Sequence, residues 1–125
     1  MKVKFFRCKH CGKVIALKNA QDIPTVCCGD KMEELVANTV DAATEKHVPV
    51  FEQKEDLVYV AVGSAPHPMT PEHYIEFIAL ETNLGVKINY LPVTREAKTT
   101  FILETGESIE RVFEYCNLHG LWSTD

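Results

Sequence analysis

Five cysteines and five histidines carry most of the chemistry available to this sequence. Cys8 and Cys11 form a C-x-x-C pair, and Cys27 and Cys28 follow directly adjacent to each other. Four soft thiolates at such spacing suit a tetrahedral Zn or Fe site, because a C-x-x-C turn lets two sulfurs converge on one ion. The adjacent pair departs from the usual arrangement of two such turns. Neighbouring residues reach one metal only if the backbone between them bends, so the sequence predicts a distorted tetrahedron at Cys8, Cys11, Cys27 and Cys28. Zinc and iron both fit this set; either would staple the segment, and only iron would also carry an electron. His10, inside the C-x-x-C, reads as a loop residue, since four thiolates already complete the shell.

The remaining candidates are dispersed: His47, His67, His73, Cys116 and His119. Singly, each has an ordinary reading, as a turn histidine, a hydrogen-bonded strand histidine or an inert core thiol. Two features point further. Pro66 and Pro68 fix the backbone around His67, as a pre-organised ligand needs, and Cys116 with His119 has a C-x-x-H spacing that brings a sulfur and an imidazole together from one turn. Four imidazoles and one thiolate do not fit a closed zinc tetrahedron. They suit a square-pyramidal iron with a sixth position open, which means reactivity.

The elements that must position these groups fall into two parts. Residues 1–36 are cysteine-rich, punctuated by Gly12, Pro24 and Gly29, and too short to bury much core, so a metal is the expected source of their stability. From residue 37 to 125 the runs HVPVFEQ, DLVYVAVG, VKINYL, KTTFILE and ERVFEYC read as strands, with turns about every ten residues and no βαβ rhythm, which predicts a small antiparallel β-sandwich. The stretch TPEHYIEFIALET is ambiguous: Thr70 and Pro71 have helix-start character, whereas Tyr, Ile and Phe suit a strand.

With 125 residues, 46% of them apolar and 25% charged, the composition is that of an ordinary globular chain. A net charge of −5 argues against general nucleic-acid binding, which needs positive charge to displace phosphate counterions. No long apolar run appears and MKVKFFRC lacks the apolar stretch of a signal peptide, so the expected location is cytoplasmic, with no membrane association. In a reducing compartment, clustered cysteines point to metal rather than disulfides.

The segments FRCKHCG, CCGDKM, EKHVPV, GSAPHPM, HYIEFI and EYCNLHGLW, in that order, resemble desulfoferrodoxin, the two-iron form of superoxide reductase, over essentially the whole chain. The resemblance implies an all-β protein with a desulforedoxin-like module at 1–36 and an immunoglobulin-like β-sandwich at 37–125. It implies two irons per chain, the first held by Cys8, Cys11, Cys27 and Cys28, the second by His47, His67, His73 and His119 with Cys116 as axial sulfur. It also implies a homodimer and a small electron-donor protein such as rubredoxin. Tyr74 departs from the family pattern, in which many members carry Trp at that position.

The implied activity is one-electron reduction of superoxide to hydrogen peroxide, with uptake of two protons and no evolution of oxygen. Glu45 and Lys46 correspond to a Glu-Lys pair that the family carries on a mobile loop over the open position. Lys46 would draw in the anion and orient a proton-donating water, and Glu45 would close the position after product leaves. Two other functions remain open on residue types alone: an electron carrier using only the cysteine site, and a zinc ribbon joined to a binding module.

Overall fold

The computed structural model describes residues 2–21 and 24–124, and its contacts divide the chain into two compact units, Met1–Val36 and Ala37–Asp125. The first unit contains β1 (Lys4–Arg7), β2 (Val14–Leu17), β3 (Val26–Cys27), β4 (Asp30–Lys31) and β5 (Glu33–Leu35). β1 lies between β2 and β5 in an antiparallel sheet, while β3 and β4 form a separate hairpin. Its large buried side chains among the described residues are few: Val3, Phe5, Cys8 and Met32.

Two tight turns in this unit carry the cysteines. The β1–β2 turn contains Cys8 and Cys11 and is closed by the Cys8 N–H donating to the Lys13 carbonyl at 2.9 Å. In the β3–β4 hairpin, Cys27 pairs with Asp30 and the two turn residues, Cys28 and Gly29, have φ of 54° and 74°. Positive φ at both central positions is the hairpin turn that matches strand twist. It supplies the bend that an adjacent Cys27–Cys28 pair requires.

The second unit comprises a single helical turn, α1 (Thr44–His47), followed by β6 (Pro49–Lys54), β7 (Leu57–Val62), β8 (Ile75–Thr82), β9 (Gly85–Tyr90), β10 (Lys98–Ile102), β11 (Ile109–Cys116) and β12 (Gly120–Ser123). Its two antiparallel sheets run β10-β7-β6 and β12-β11-β8-β9. Alternation on β7 aims Val58, Val60 and Val62 inward, where they meet Ile78, Leu80 and Val112 from the other sheet together with Phe101 and Leu103. The expected β-sandwich is thus the observed fold.

β8 explains the ambiguous stretch. Phe77 and Ala79 are as buried as Ile78 and Leu80, so both faces of the strand are covered and its sequence reads as a continuous apolar run instead of an alternation. The helix-start character of Thr70 is real but local. Its hydroxyl accepts the His73 N–H at 3.1 Å, the geometry of an N-cap, and the chain then extends into β8. The predicted strand beginning at His47 starts instead at Pro49, because residues 44–47 coil into α1.

Candidate metal centres

In the first unit the Cys8, Cys11, Cys27 and Cys28 sulfurs all lie within 4.8 Å of one another. Cys11 Sγ is 3.7 Å from Cys27 Sγ, which is 4.0 Å from Cys28 Sγ. A tetrahedron with metal–sulfur bonds of about 2.3 Å has edges of about 3.8 Å, so the thiols fit one ion. The Cys11 N–H, with further help from the His10 N–H and neighbouring thiols, holds the Cys8 thiol down to about 6. The thiols of Cys8 and Cys11 push Cys27 up to about 12. Four thiolates so close cannot all ionise unless a cation joins them, which is the chemistry of a metal-binding set. His10 stands apart: its Nε2 faces Asp30 Oδ2 at 3.1 Å and it is not among the converging donors.

In the second unit, three chain segments bring the dispersed histidines together. His47 ends α1, whose position is held by the Ala65 N–H donating to the Glu45 carbonyl at 2.9 Å. His67 and His73 come from the β7–β8 connection, and His119 from the turn between β11 and β12. The rings form a closed square. Centroids are 4.8 Å apart for His47–His67, 4.6 Å for His67–His73, 5.1 Å for His73–His119 and 4.8 Å for His119–His47, with interplanar angles of 74° to 83°.

Cys116 joins this square from the end of β11. Its sulfur is 3.5 Å from His67 Nε2 and 3.8 Å from His119 Nδ1. A register shift between Tyr115 and Cys116 places Cys116 opposite Ile75 rather than Glu76, and such a bulge re-aims the side chain that follows it. Burial pushes the Cys116 thiol up, while the Leu118 and His119 N–H groups, aimed at the sulfur, oppose that shift.

The tautomers can be assigned from the partners. His47 Nδ1 lies 2.8 Å from the Ala43 carbonyl and His67 Nδ1 lies 2.7 Å from the Pro68 carbonyl, so each Nδ1 carries the proton and donates it. Both Nε2 lone pairs then face each other across 3.2 Å, and His119 Nδ1 faces His47 Nε2 at 3.1 Å. His73 Nε2 is buried with no partner among the described residues. Protonation does not relieve this crowding, because burial and the neighbouring imidazoles lower His47 and His73 and bring His67 down to about 4. Converging lone pairs that resist protons are satisfied by a metal cation. Nitrogens about 2.1 Å from a central ion stand about 3.0 Å apart at adjacent corners of a square, close to the spacings seen.

Glu45 and Lys46 are exposed on α1 next to His47. The Lys46 charge contributes to lowering both His47 and His73, which places it within electrostatic reach of the ring set. Among the described residues no carboxylate joins the donors.

Three supporting residues were not singled out by the sequence reading. Trp122 stacks on His47 at 5.0 Å and 22° while its indole N–H donates to the His119 carbonyl at 3.0 Å. Ala43 anchors His47 through a backbone carbonyl, which no side-chain pattern announces. Glu114, two residues before Cys116, is fully buried with both oxygens unpartnered among the described residues, and burial pushes it up to about 9, so it is neutral near pH 7.

A β-sandwich bearing four clustered imidazoles with a thiol against them, in a chain with a separate four-thiol set, defines a non-haem metalloprotein with two metal centres. A family model for desulfoferrodoxin matches residues 39–125. The desulfoferrodoxin of Syntrophotalea carbinolica is 42% identical over 99% of this chain and 97% of its own length. The superoxide reductase of Treponema pallidum has a crystal structure that superposes with a TM-score of 0.89 at 38% identity, covering 100% of both chains. A one-iron superoxide reductase from Giardia intestinalis matches 64% of this chain and 95% of its own, with a TM-score of 0.55 and 31% identity. The chain belongs to the desulfoferrodoxin family, and its two donor sets match that family's two iron centres. No helix among the described residues is long and apolar enough to cross a membrane.

Proposed function

We propose that this protein is a superoxide reductase, an oxidoreductase that takes superoxide, one electron and two protons to hydrogen peroxide. The observation that carries the reading is the set of four imidazoles in mutual ring contact with Cys116 against them and, among the described residues, no carboxylate in the set. Iron bound by His47, His67, His73, His119 and Cys116 would supply the electron and an open position for the substrate. The protein residues prepare that position. His47 and His67 are fixed as neutral donors by their Nδ1–H bonds to Ala43 and Pro68. The Leu118 and His119 N–H groups stabilise the thiolate form of Cys116.

Lys46 is the cationic group in this scheme, attracting a small anion to a chain with a net charge of −5 and orienting a proton-donating water. Glu45, exposed on α1 beside His47, would cover the site once product has left. Cys8, Cys11, Cys27 and Cys28 would hold the other iron, which would supply an electron-transfer centre or a staple for residues 1–36. A small redox protein such as rubredoxin is the electron donor, and the working form is a cytoplasmic homodimer that engages neither nucleic acid nor membrane.

The test is an optical and iron titration of the purified protein, followed by superoxide added to the reduced form. The expected result is two irons per chain and one hydrogen peroxide per superoxide consumed, without oxygen release. One thiolate-bound iron per chain would indicate an electron carrier instead. A colourless zinc protein inert to superoxide would indicate a binding module.

A further inference from the structure

We infer that Asn117 is the positioning residue for His73. The inference rests on the reading that the imidazole set holds a metal, and it assigns the group that orients the set's least anchored member. His47 and His67 are each oriented by a ring N–H donated to a backbone carbonyl. His73 has no such anchor among the described residues; its Nε2 is buried and unpartnered and its ring meets only the edges and faces of His67 and His119, so the set of its backbone decides where the ring points.

Among the described residues, one side chain from outside the β7–β8 connection grips that backbone. Asn117 Oδ1 accepts the Tyr74 N–H at 2.9 Å, and Asn117 Nδ2 donates to the Glu72 carbonyl at 3.0 Å. The two bonds grip the peptide groups on either side of His73. A third bond, from the Asn117 N–H to the Tyr74 carbonyl at 3.1 Å, completes the clamp. Thr70 also bonds His73, through a pair of backbone hydrogen bonds of 2.9 Å and 3.2 Å and through its hydroxyl, which accepts the His73 N–H at 3.1 Å, but both residues belong to the same connection. Asn117 instead lies between Cys116 and His119, so it ties the His73 segment to the turn that carries two other donors.

The chemistry of the side chain is selective. A primary amide presents an acceptor and a donor side by side, matching one N–H and one C=O. Aspartate keeps the acceptor for Tyr74 but turns a carboxylate oxygen toward the Glu72 carbonyl. Alanine offers neither. Residues that orient metal ligands typically change metal affinity about 10–100-fold when removed.

The experiment compares Asn117→Ala and Asn117→Asp with Asn89→Ala in iron-loaded protein. Asn89 is a suitable control because it also bridges two segments, donating to Thr99 Oγ1 at 2.9 Å and to the Thr100 carbonyl at 3.3 Å, outside the donor set. The readouts are the electron paramagnetic resonance and visible spectra of the oxidised histidine centre, and the rate at which a chelator removes its iron. Both Asn117 variants should broaden the resonance and lose iron faster, by about tenfold or more for alanine. Asn89→Ala should lose stability yet keep the wild-type spectrum and release rate. If Asn117→Asp folds while Asn117→Ala does not, the aspartate variant alone decides. Wild-type spectra and release in the Asn117 variants, or equal changes in Asn89→Ala, would overturn the assignment. Altered spectra in a protein that proves inert to superoxide would sink the proposed activity and leave Asn117 in place. Wild-type protein that takes no iron at the histidine set would sink both.

Discussion

A side-chain carbon on Gly63 would stand 2.2 Å from the carbonyl oxygen of Glu45. The missing side chain is therefore what lets α1 lie against the end of β7, and the φ of +55° at Gly63 is one that residues with a Cβ seldom adopt. The same carbonyl accepts the Ala65 N–H, so His47 is delivered to the ring set from a turn seated on residues 63–65.

Gly63→Ala should accordingly displace α1 and His47 with it, since the obstructing atoms belong to backbone. Iron should fall from two per chain toward one, with the loss confined to the histidine centre and the thiolate absorption intact. Metal analysis with visible spectroscopy checks this; two irons and an unchanged spectrum would mean that α1 does not depend on Gly63.

Lys46→Ala should slow the second-order reaction with superoxide several-fold, roughly 3–10 at low ionic strength, and flatten its dependence on salt. Lys46→Arg should recover most of the steering, because the charge remains. Pulse radiolysis across a salt series is the measurement. An unchanged rate and salt slope would remove Lys46 from the mechanism.

What the sequence disclosed and what it hid follow from the range of the forces involved. The cysteine set was legible because C-x-x-C is local, and the adjacent pair foretold a bent backbone that Cys28 and Gly29 provide through positive φ. The strands over β6, β7, β9, β10 and β11 were legible from their apolar and β-branched runs. β8 was not, because a strand buried on both faces loses the alternation that separates it from a helix. Gly63, Asn117 and Trp122 act through partners 18, 43 and 75 positions away, Glu45, Tyr74 and His47 respectively, and no pattern within a window of sequence reports such contacts.

Glu107 predicts how the sandwich responds to acid. Its carboxylate accepts from Lys87 Nζ at 2.8 Å, Thr82 Oγ1 at 2.6 Å and the Glu104 N–H at 2.9 Å. These partners, Lys87 first, hold it down to about 2 from an ordinary 4.5. A carboxyl depressed on folding contributes stability that is fully present above its unfolded value and is lost as pH falls through the folded one. Wild-type protein should therefore lose stability between about pH 4.5 and 2 more steeply than Glu107→Gln, with the variant less stable at pH 7 and the two converging near pH 2. Denaturant titrations across that range decide it, and parallel curves would show that Glu107 contributes nothing to the acid response.

Removing metal should separate the two units. The first has only Val3, Phe5, Cys8 and Met32 as large buried side chains among its described residues, whereas the second packs Val58, Val60, Ile78, Leu80, Val112 and Phe101 into one core. Metal binding in small thiolate sites is worth on the order of 10 kcal/mol, more than so slight a core supplies. Once the ion is gone, the Cys27 and Cys28 sulfurs take up protons and no ion ties the two cysteine turns together. Chelation should therefore expose the amides of β1, β2 and β5 to rapid hydrogen exchange while those of β7, β8 and β11 stay protected. Zinc added back should restore protection in the first unit without restoring activity toward superoxide, because zinc closes the tetrahedron but transfers no electron. If β1 and its neighbours remain protected in metal-free protein, the first unit folds on side-chain packing alone and its thiolate centre has no structural role.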